Sequence, residues 1–454
     1  MLASVSQLRL RPGSYDEAVV AFRSARFHHC LSQLHGLESV AARTLRARTS
    51  LRLGRPNAAL TALDAAVAKL QSERAEIALL SAVAHARLGD GEAASSLFRD
   101  AFVYSVSALD QALEVEVNFY RALTSLGNGD LDGARAMCHA GLDAACDTYP
   151  YMRCQGVVPL EHNVSRSQEL LGIIYASAGR YHDAIVHARL ALVTLDSCSV
   201  RDVYHEAFAL RNLAIHSRDF DIEDDARMLA LRVPALRWTE DVCFVEFATV
   251  EALGWCSALR GDATEALRLF RHAESVASTD PERIVVGVDR ALFAREFGHK
   301  PLMCEEVDHA LKLAASFGWE RAAGDCREAL LTLAQVAAPI TPVRARENLD
   351  RYTAIRNAMD GSYAARNEPR ARAEEAYTQG LVLRAEGKVA ASKERLQCAF
   401  ETWQTIGYEW RAARAALELA ELKRARFFGS LCATNYFDVR TRCSPRAPAS
   451  SLSD

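Results

Sequence analysis

The 454-residue chain is short of several things, and each shortage removes a class of protein. No run of residues approaches the ~18 to 20 consecutive apolar positions that a helical membrane span needs. The nearest, "CFVEFATVEALGWCSAL", is interrupted by Glu246 and Glu251. The opening "MLASVSQLRLRPGSYDEA" has no apolar core of the secretory kind, so a cytoplasmic location is expected. Twelve cysteines occur without a single Cys-x-x-Cys pair, which argues against a metal knuckle or a redox dithiol. Lysine is nearly absent, with six residues against 48 arginines, and the net charge is only −4. Such a balance exerts no global pull on nucleic acid or an anionic membrane. No Gly-x-x-x-x-Gly-Lys-Ser/Thr loop exists; the one Gly-Lys pair, Gly387-Lys388, is followed by Val389.

What the chain has is internal self-similarity. The segments "LLGIIYASAGRYHDAIVHARLAL" and "ALGWCSALRGDATEALRLFRHAESV" align on Gly179 and Gly261, and Gly13, Gly54, Gly89, Gly129, Gly298 and Gly387 fit the same frame. Seven residues before these anchors stand Ser6, Ala47, Ala82, Ala122, Gly172, Gly254, Ala291 and Gly380, all small. Five residues after them stand Ala18, Ala59, Ala94, Ala134, Ala184, Ala266, Met303 and Ser392. Nine after are Phe22, Leu63, Phe98, Cys138, Ala188, Phe270, Val307 and Leu396, and twelve after mostly alanine.

This frame specifies a helical hairpin. A glycine at the anchor suits the left-handed residue that ends one helix and turns the chain into the next. Small residues at minus seven and plus five let the two helices approach closely. Positions plus five, nine and twelve are four and three apart, so they form one stripe on the second helix. A single hairpin cannot bury that stripe, but a stack can. The anchors step by 41, 35, 40, 50, 82, 37 and 89 residues. Each of the two largest gaps is expected to hold a worn copy, near Arg218 and near Pro342. The expectation is an all-α, right-handed α-solenoid of about ten hairpins over residues 1–428, with 429–454 a disordered tail. Pro339 and Pro342 mark a break, and "CDTYPYMRCQGVVPLEHN" reads as an edge loop.

The frame resembles the tetratricopeptide repeat, best between Gln168 and Leu192, where Leu171, Gly172, Tyr175, Gly179, Tyr181, Ala184 and Ala191 stand in family positions. The closing stretch from Ala376 to Leu422, with its "W..IGY.WRAA.AAL.LAEL" pattern, resembles the helical signal-receiving region of large LuxR-type bacterial transcription regulators. That resemblance implies a regulatory sensor or scaffold. Neither the family's phosphate loop nor its C-terminal helix-turn-helix is visible, so it implies no ATP hydrolysis and no direct DNA binding by this chain.

Local clusters of chemical interest have ordinary readings. His28, His29, Cys30 and His35 cannot converge from one helix, and Cys138 of the group Cys138, His139, Cys146, Cys154 already occupies a core position. Arg43, Arg46, Arg48, Arg52 and Arg55 read as a solvated or inter-repeat ion-pair face. No nucleophile with its base can be named, and no cofactor or metal is expected, so the reading is non-enzymatic. The first-helix positions at minus ten, six and three face the concave side of such arrays and include Phe119, Trp255, Tyr377 and Arg384. Aromatic and arginine side chains anchor partners, so a protein or small effector is expected there, with self-association open to the same surface; the equal alternative is that longer helices close the groove and make these residues core. A scaffold or chaperone-like role without a link to transcription is the competing class. In the last helix, Ala412, Ala413, Ala416 and Leu419 are expected to pack on the hairpin before it.

Overall fold

The computed structural model describes residues 14–146, 157–198, 200–220, 229, 232, 243–277, 280–296, 327–358 and 369–427. The anchors Gly13 and Gly298, the cluster member Cys154 and the tail 429–454 lie outside these residues. The described secondary structure is helical throughout, in nineteen helices, with no strand among the described residues. Two compact units are formed, one from residues 1–174, 186–209 and 236–242, the other from 175–185, 210–235 and 243–454.

In the first unit α1 (Tyr15–Arg23), α2 (Phe27–Gln33), α3 (Val40–Arg52), α4 (Pro56–Asp64), α5 (Gln71–Arg87), α6 (Gly91–Ala108), α7 (Gln111–Gly127) and α8 (Leu131–Cys146) follow one another as hairpins. Helices α3, α5 and α7 are the first members, and α3 touches α5 as α5 touches α7. Two more helices begin or end here: α9 (Leu160–Ser177) and α10 (Tyr181–Ser197). The start of α11 (Val203–Phe220) closes the unit. In the second unit the order is α12 (Cys243–Leu259), α13 (Ala263–Val276), α14 (Asp280–Glu296), α15 (Arg327–Ala337), α16 (Pro342–Ala358), α17 (Pro369–Ala385), α18 (Val389–Thr405) and α19 (Glu409–Phe427).

The repeat frame is realised residue by residue. Gly54, Gly89, Gly129, Gly179, Gly261 and Gly387 all have φ between +70° and +83°. Around Gly54 the amide of Arg55 donates to the Ser50 carbonyl at 2.8 Å and that of Gly54 to Leu51 at 3.0 Å, which closes off the end of α3. The glycine is followed directly by aspartate in "GD" at 89–90, 129–130 and 261–262. That aspartate starts the second helix: Asp262 Oδ1 accepts the Glu265 amide at 3.0 Å. An Asp262→Ala protein should lose about 1 kcal/mol of stability, read from its urea midpoint; an unchanged midpoint would mean the cap contributes nothing.

The small positions are buried as the frame requires. Ala47, Ala82, Ala122 and Ala291 are fully enclosed, as are Ala18, Ala59, Ala94, Ala134, Ala184 and Ala266. The minus-seven residue of a hairpin faces its plus-nine residue. A Cβ built on Gly254 would lie 2.7 Å from Phe270 Cε1, and one on Gly380 would lie 2.6 Å from Leu396 Cγ. In these two hairpins the core therefore pairs a bare backbone on the first helix with a large side chain on the second.

Three details depart from the sequence reading. The segment expected as a loop up to Asn163 is helical from Leu160, because Pro159 fits the helix entry and its carbonyl takes the amides of His162 and Asn163. In α19 the buried stripe is Ala412, Ala415, Leu419 and Leu422, while Ala413 is exposed and Ala416 half-buried. The helix is turned so that Glu418 reaches Arg384. Gly36 and Gly407 also adopt positive φ, at +78° and +73°, although neither is an anchor of the frame. The worn copy expected near Pro342 is present as the α15–α16 hairpin, with Pro342 as the first residue of its second helix.

One surface pair of the second unit offers a pH test. Arg346 Nε donates to Glu386 Oε1 at 2.6 Å and Lys388 Nζ lies 2.9 Å from Oε2. These hold the Glu386 carboxyl at about 2, the Arg346 hydrogen bond chiefly. Because the folded value is lowered, its stabilising contribution is present above the unfolded value of about 4.3 and fades as pH falls toward 2. In an Arg346→Gln protein the Glu386 carboxyl should titrate nearer its ordinary value by carbon-detected NMR. An unmoved titration would remove Arg346 as the cause.

Candidate functional site

The first unit carries a seam of buried charge that its repeat register builds. Glu76, Glu116 and Arg166 each stand thirteen residues ahead of their anchors, Gly89, Gly129 and Gly179. The same turn of successive first helices thus presents glutamate, glutamate and arginine side by side. Arg48 of α3 completes the set. Its Nε donates to Glu76 Oε1 at 2.7 Å, and its two terminal nitrogens donate to Glu116 Oε1 and Oε2 at 2.6 and 2.8 Å. Such a two-pronged pair is the strongest geometry a guanidinium and a carboxylate can adopt.

Burial and pairing act against each other here. Burial pushes the Glu116 carboxyl up, but Arg48 and then Arg166 pull it down further, and it stays below the usual carboxylate range. Burial likewise disfavours the charged Arg48, and Glu116 with Glu76 more than reverse this. The seam is therefore ionised on both sides.

Arg166 extends the seam toward aromatic surface. Its guanidinium lies 4.0 Å from the Phe119 ring centre and 4.8 Å from that of Tyr120, with Nη1 3.4 Å from Glu116 Oε1. The two rings meet edge to face at 5.1 Å. Phe119 and Tyr120 are partly buried and the Arg166 side chain is 12% exposed, so the cluster is packed on most sides and reaches solvent along one edge.

A second branch runs from Arg52, one turn beyond Arg48. Its guanidinium is 3.9 Å over Phe22 and 4.4 Å over Tyr204, and Nη2 donates to Asp202 Oδ2 at 3.2 Å. Asp202 begins α11: its Oδ1 accepts the amides of Tyr204 and His205 at 3.0 and 3.2 Å. Burial alone would raise the Asp202 carboxyl, yet the Arg52 guanidinium beside it holds it well below its ordinary value. His162 and His205 flank it, ring centres 5.3 Å apart, and burial drives both imidazoles toward the neutral form.

The four residues expected to anchor a partner are distributed unevenly. Phe119 joins the seam described above. Trp255 is enclosed in an apolar core, edge-on to Phe270 at 5.6 Å. Tyr377 is fully buried against Trp403 at 5.2 Å. Arg384, on the same helix as Tyr377, bridges Glu418 at 2.5 Å and Glu421 at 2.9 Å. The arginine face of α3 behaves as the inter-repeat ion-pair surface expected of it through Arg48 and Arg52, whereas Arg46 donates to the Leu34 and Leu37 carbonyls at 2.6 and 3.0 Å. Of the histidine group near the start, Cys30 is buried 3.3 Å from Thr49 Oγ1, while His28 and His29 are exposed. Sequence reasoning missed Glu116, Arg166, Asp202, His162 and His205. The recurrence of charge thirteen residues before the anchors was the readable signal for the first two.

No protein family and no curated protein matches the chain. Solved structures of similar fold include a Rap protein complexed with competence and sporulation factor, at 12% identity over 90% of this chain and 98% of that one, TM-score 0.44. Aspartyl phosphate phosphatase F from Bacillus subtilis is similar at 10% identity over 93% and 96% of the two chains, TM-score 0.35. The P58(IPK) TPR domain is similar at 13% identity over 91% and 98%, TM-score 0.27. The described residues themselves are all-α and form helical hairpins.

Proposed function

We propose that the chain is a non-enzymatic helical-repeat module that binds a protein or a small effector, with a regulatory role. The supporting observation is the Phe119–Tyr120–Arg166 cluster. It sets a cation over partly buried aromatic rings and backs that cation with the buried Glu116 carboxylate. Aromatic and arginine groups held rigidly from behind lose little freedom on binding, which is what concentrates affinity at a few residues. Of the four expected anchors, Phe119 leads this reading. Changes at Trp255, Tyr377 or Arg384 would reach a partner through core packing and ion pairing. The finer reading, a sensor part of a LuxR-type transcription regulator, is supported by the resemblance between Ala376 and Leu422.

A photoreactive benzoylphenylalanine placed at Phe119, and separately at the exposed Val103 of α6, tests the site in the full-length protein in cells. Crosslinked species at position 119 and none at 103 are expected. Crosslinks equal at both positions, or none at 119, would remove the cluster as the binding surface. For the regulatory reading, deletion of the gene should change a defined set of transcripts, and an unchanged transcriptome would leave a plain scaffold.

A further inference from the structure

His162, Asp202 and His205 form the one group among the described residues whose ligand atoms converge closely enough to share a metal ion. All three are buried, and their candidate ligand atoms lie within 4.8 Å of one another. His162 Nε2 is 2.7 Å from the Val200 carbonyl, which can only accept, so that nitrogen carries the proton. Its Nδ1 is then a bare lone pair. It lies 4.0 Å from Asp202 Oδ2, without a hydrogen-bond partner and out of contact with solvent. His205 Nδ1, also buried without a hydrogen-bond partner, lies 3.4 Å from the same oxygen. For His162 this turns a lone pair toward a buried carboxylate oxygen, which is repulsive unless a cation joins them; His205, whose Nε2 faces the Arg52 donor, has to give up its Nδ1 proton to ligate.

We propose that Nδ1 of His162, Nδ1 of His205 and Oδ2 of Asp202 bind one divalent transition-metal ion of the zinc class. Bonds of about 2.0–2.2 Å to nitrogen and oxygen place tetrahedral neighbours about 3.3–3.6 Å apart; the His205–Asp202 pair already stands at 3.4 Å, and His162, at 4.0 Å from Asp202 and with all three atoms within 4.8 Å of one another, has to close in on the other two. Two imidazoles and one carboxylate suit zinc, iron(II) or cobalt(II) better than calcium or magnesium. The outer hydrogen bonds are in place. The Val200 carbonyl fixes the His162 tautomer, and the amides of Tyr204 and His205 hold Asp202 through its other oxygen. Three protein ligands leave a fourth position for water or an anion.

Arg52 is the competitor. Its Nη2 donates to the same Asp202 oxygen at 3.2 Å and lies 3.4 Å from His205 Nε2. Ligation through Nδ1 puts a proton on His205 Nε2, and two donors would then face each other. The guanidinium must therefore move off His205 as the ion enters, and it serves as the resident cation of the ion-free protein. Removing its charge should tighten metal binding.

The test uses the full-length protein stripped with a chelator and titrated with cobalt(II), then zinc. One equivalent of cobalt should bind with the visible absorption of a four-coordinate ion, and zinc should displace it. His162→Gln and Asp202→Asn should each weaken binding at least tenfold. Both keep a polar group of similar size, and the asparagine preserves the cap of α11; circular dichroism confirms folding. The control His85→Ala, outside the cluster, should bind as wild type, and Arg52→Gln should bind more tightly. No stoichiometric cobalt spectrum, or a spectrum indifferent to both ligand substitutions, would overturn the site and leave Arg52 as its permanent cation.

Discussion

A Glu116→Ala protein should be about 3–5 kcal/mol less stable than wild type, because it strips the partner from a buried guanidinium. Arg48 is 8% exposed, and both its terminal nitrogens end on Glu116. Without that carboxylate, only the Glu76 contact at 2.7 Å remains, and Arg166 loses its ionic neighbour too. The Coulomb attraction in the intact seam is not the quantity being lost. Two charges buried together roughly offset their own desolvation, whereas one charge buried alone does not. Joint replacement, Arg48→Met with Glu116→Leu and Arg166→Met, should therefore cost far less than Glu116→Ala. Urea unfolding of the three proteins decides it. If the single change costs under about 1 kcal/mol, the seam is hydrated and its burial has been misjudged.

The same residue carries a pH signature. The folded Glu116 carboxyl is lowered, since Arg48 and Arg166 outweigh the upward push of burial. Its contribution is then complete above the unfolded value of about 4.3 and is lost as pH drops below it. Wild type should lose stability on that limb more steeply than Glu116→Gln, which has nothing to protonate at this position.

How far the sequence could be read follows from what kind of information each feature needs. Hairpins are local: a positive-φ glycine, a following aspartate cap and a small residue seven before the turn are visible in one copy and checked by the next. Hence Gly54, Gly89, Gly129, Gly179, Gly261 and Gly387 could be placed correctly from residue types alone. The seam is not local. Glu76, Glu116 and Arg166 are charged residues on amphipathic helices, and charge on a helix ordinarily means solvent. Only the shared register of three copies betrays that they meet. The register of α19 failed for a related reason. Ala412, Ala413, Ala415 and Ala416 are interchangeable by composition, so the face that packs is decided by Arg414 and Glu418, two charged residues that the fold buries. Asp202 and His205 are readable as a helix start, but the approach of His162 from 40 residues earlier is tertiary information.

Gly254 is where close approach, rather than backbone conformation, demands glycine. It sits within α12, and a Cβ there would lie 2.7 and 2.9 Å from Cε1 and Cδ1 of Phe270. The Phe270 ring is fully buried, held edge-on by Trp255 at 5.6 Å and against Phe293 at 5.8 Å, so it cannot swing aside as a flexible chain end would. Glycine costs a helix up to ~1 kcal/mol relative to alanine, so an exposed Gly→Ala change would stabilise. Here overpacking reverses the sign: Gly254→Ala should lose about 1–3 kcal/mol, and Gly254→Leu should lose more. Phe270→Leu alone removes ring volume and should cost a comparable amount. Combined with Gly254→Ala it should cost clearly less than the sum, because the smaller side chain makes room for the added methyl group. A double-mutant cycle measured by urea unfolding reads this coupling directly. Additive losses would show that the added methyl group does not meet the Phe270 ring, and a Gly254→Ala protein as stable as wild type would show that the two helices can part at no cost. The rule pairing position minus seven with plus nine would then fail at this hairpin, and the matching approach of Gly380 to Leu396 would need its own test.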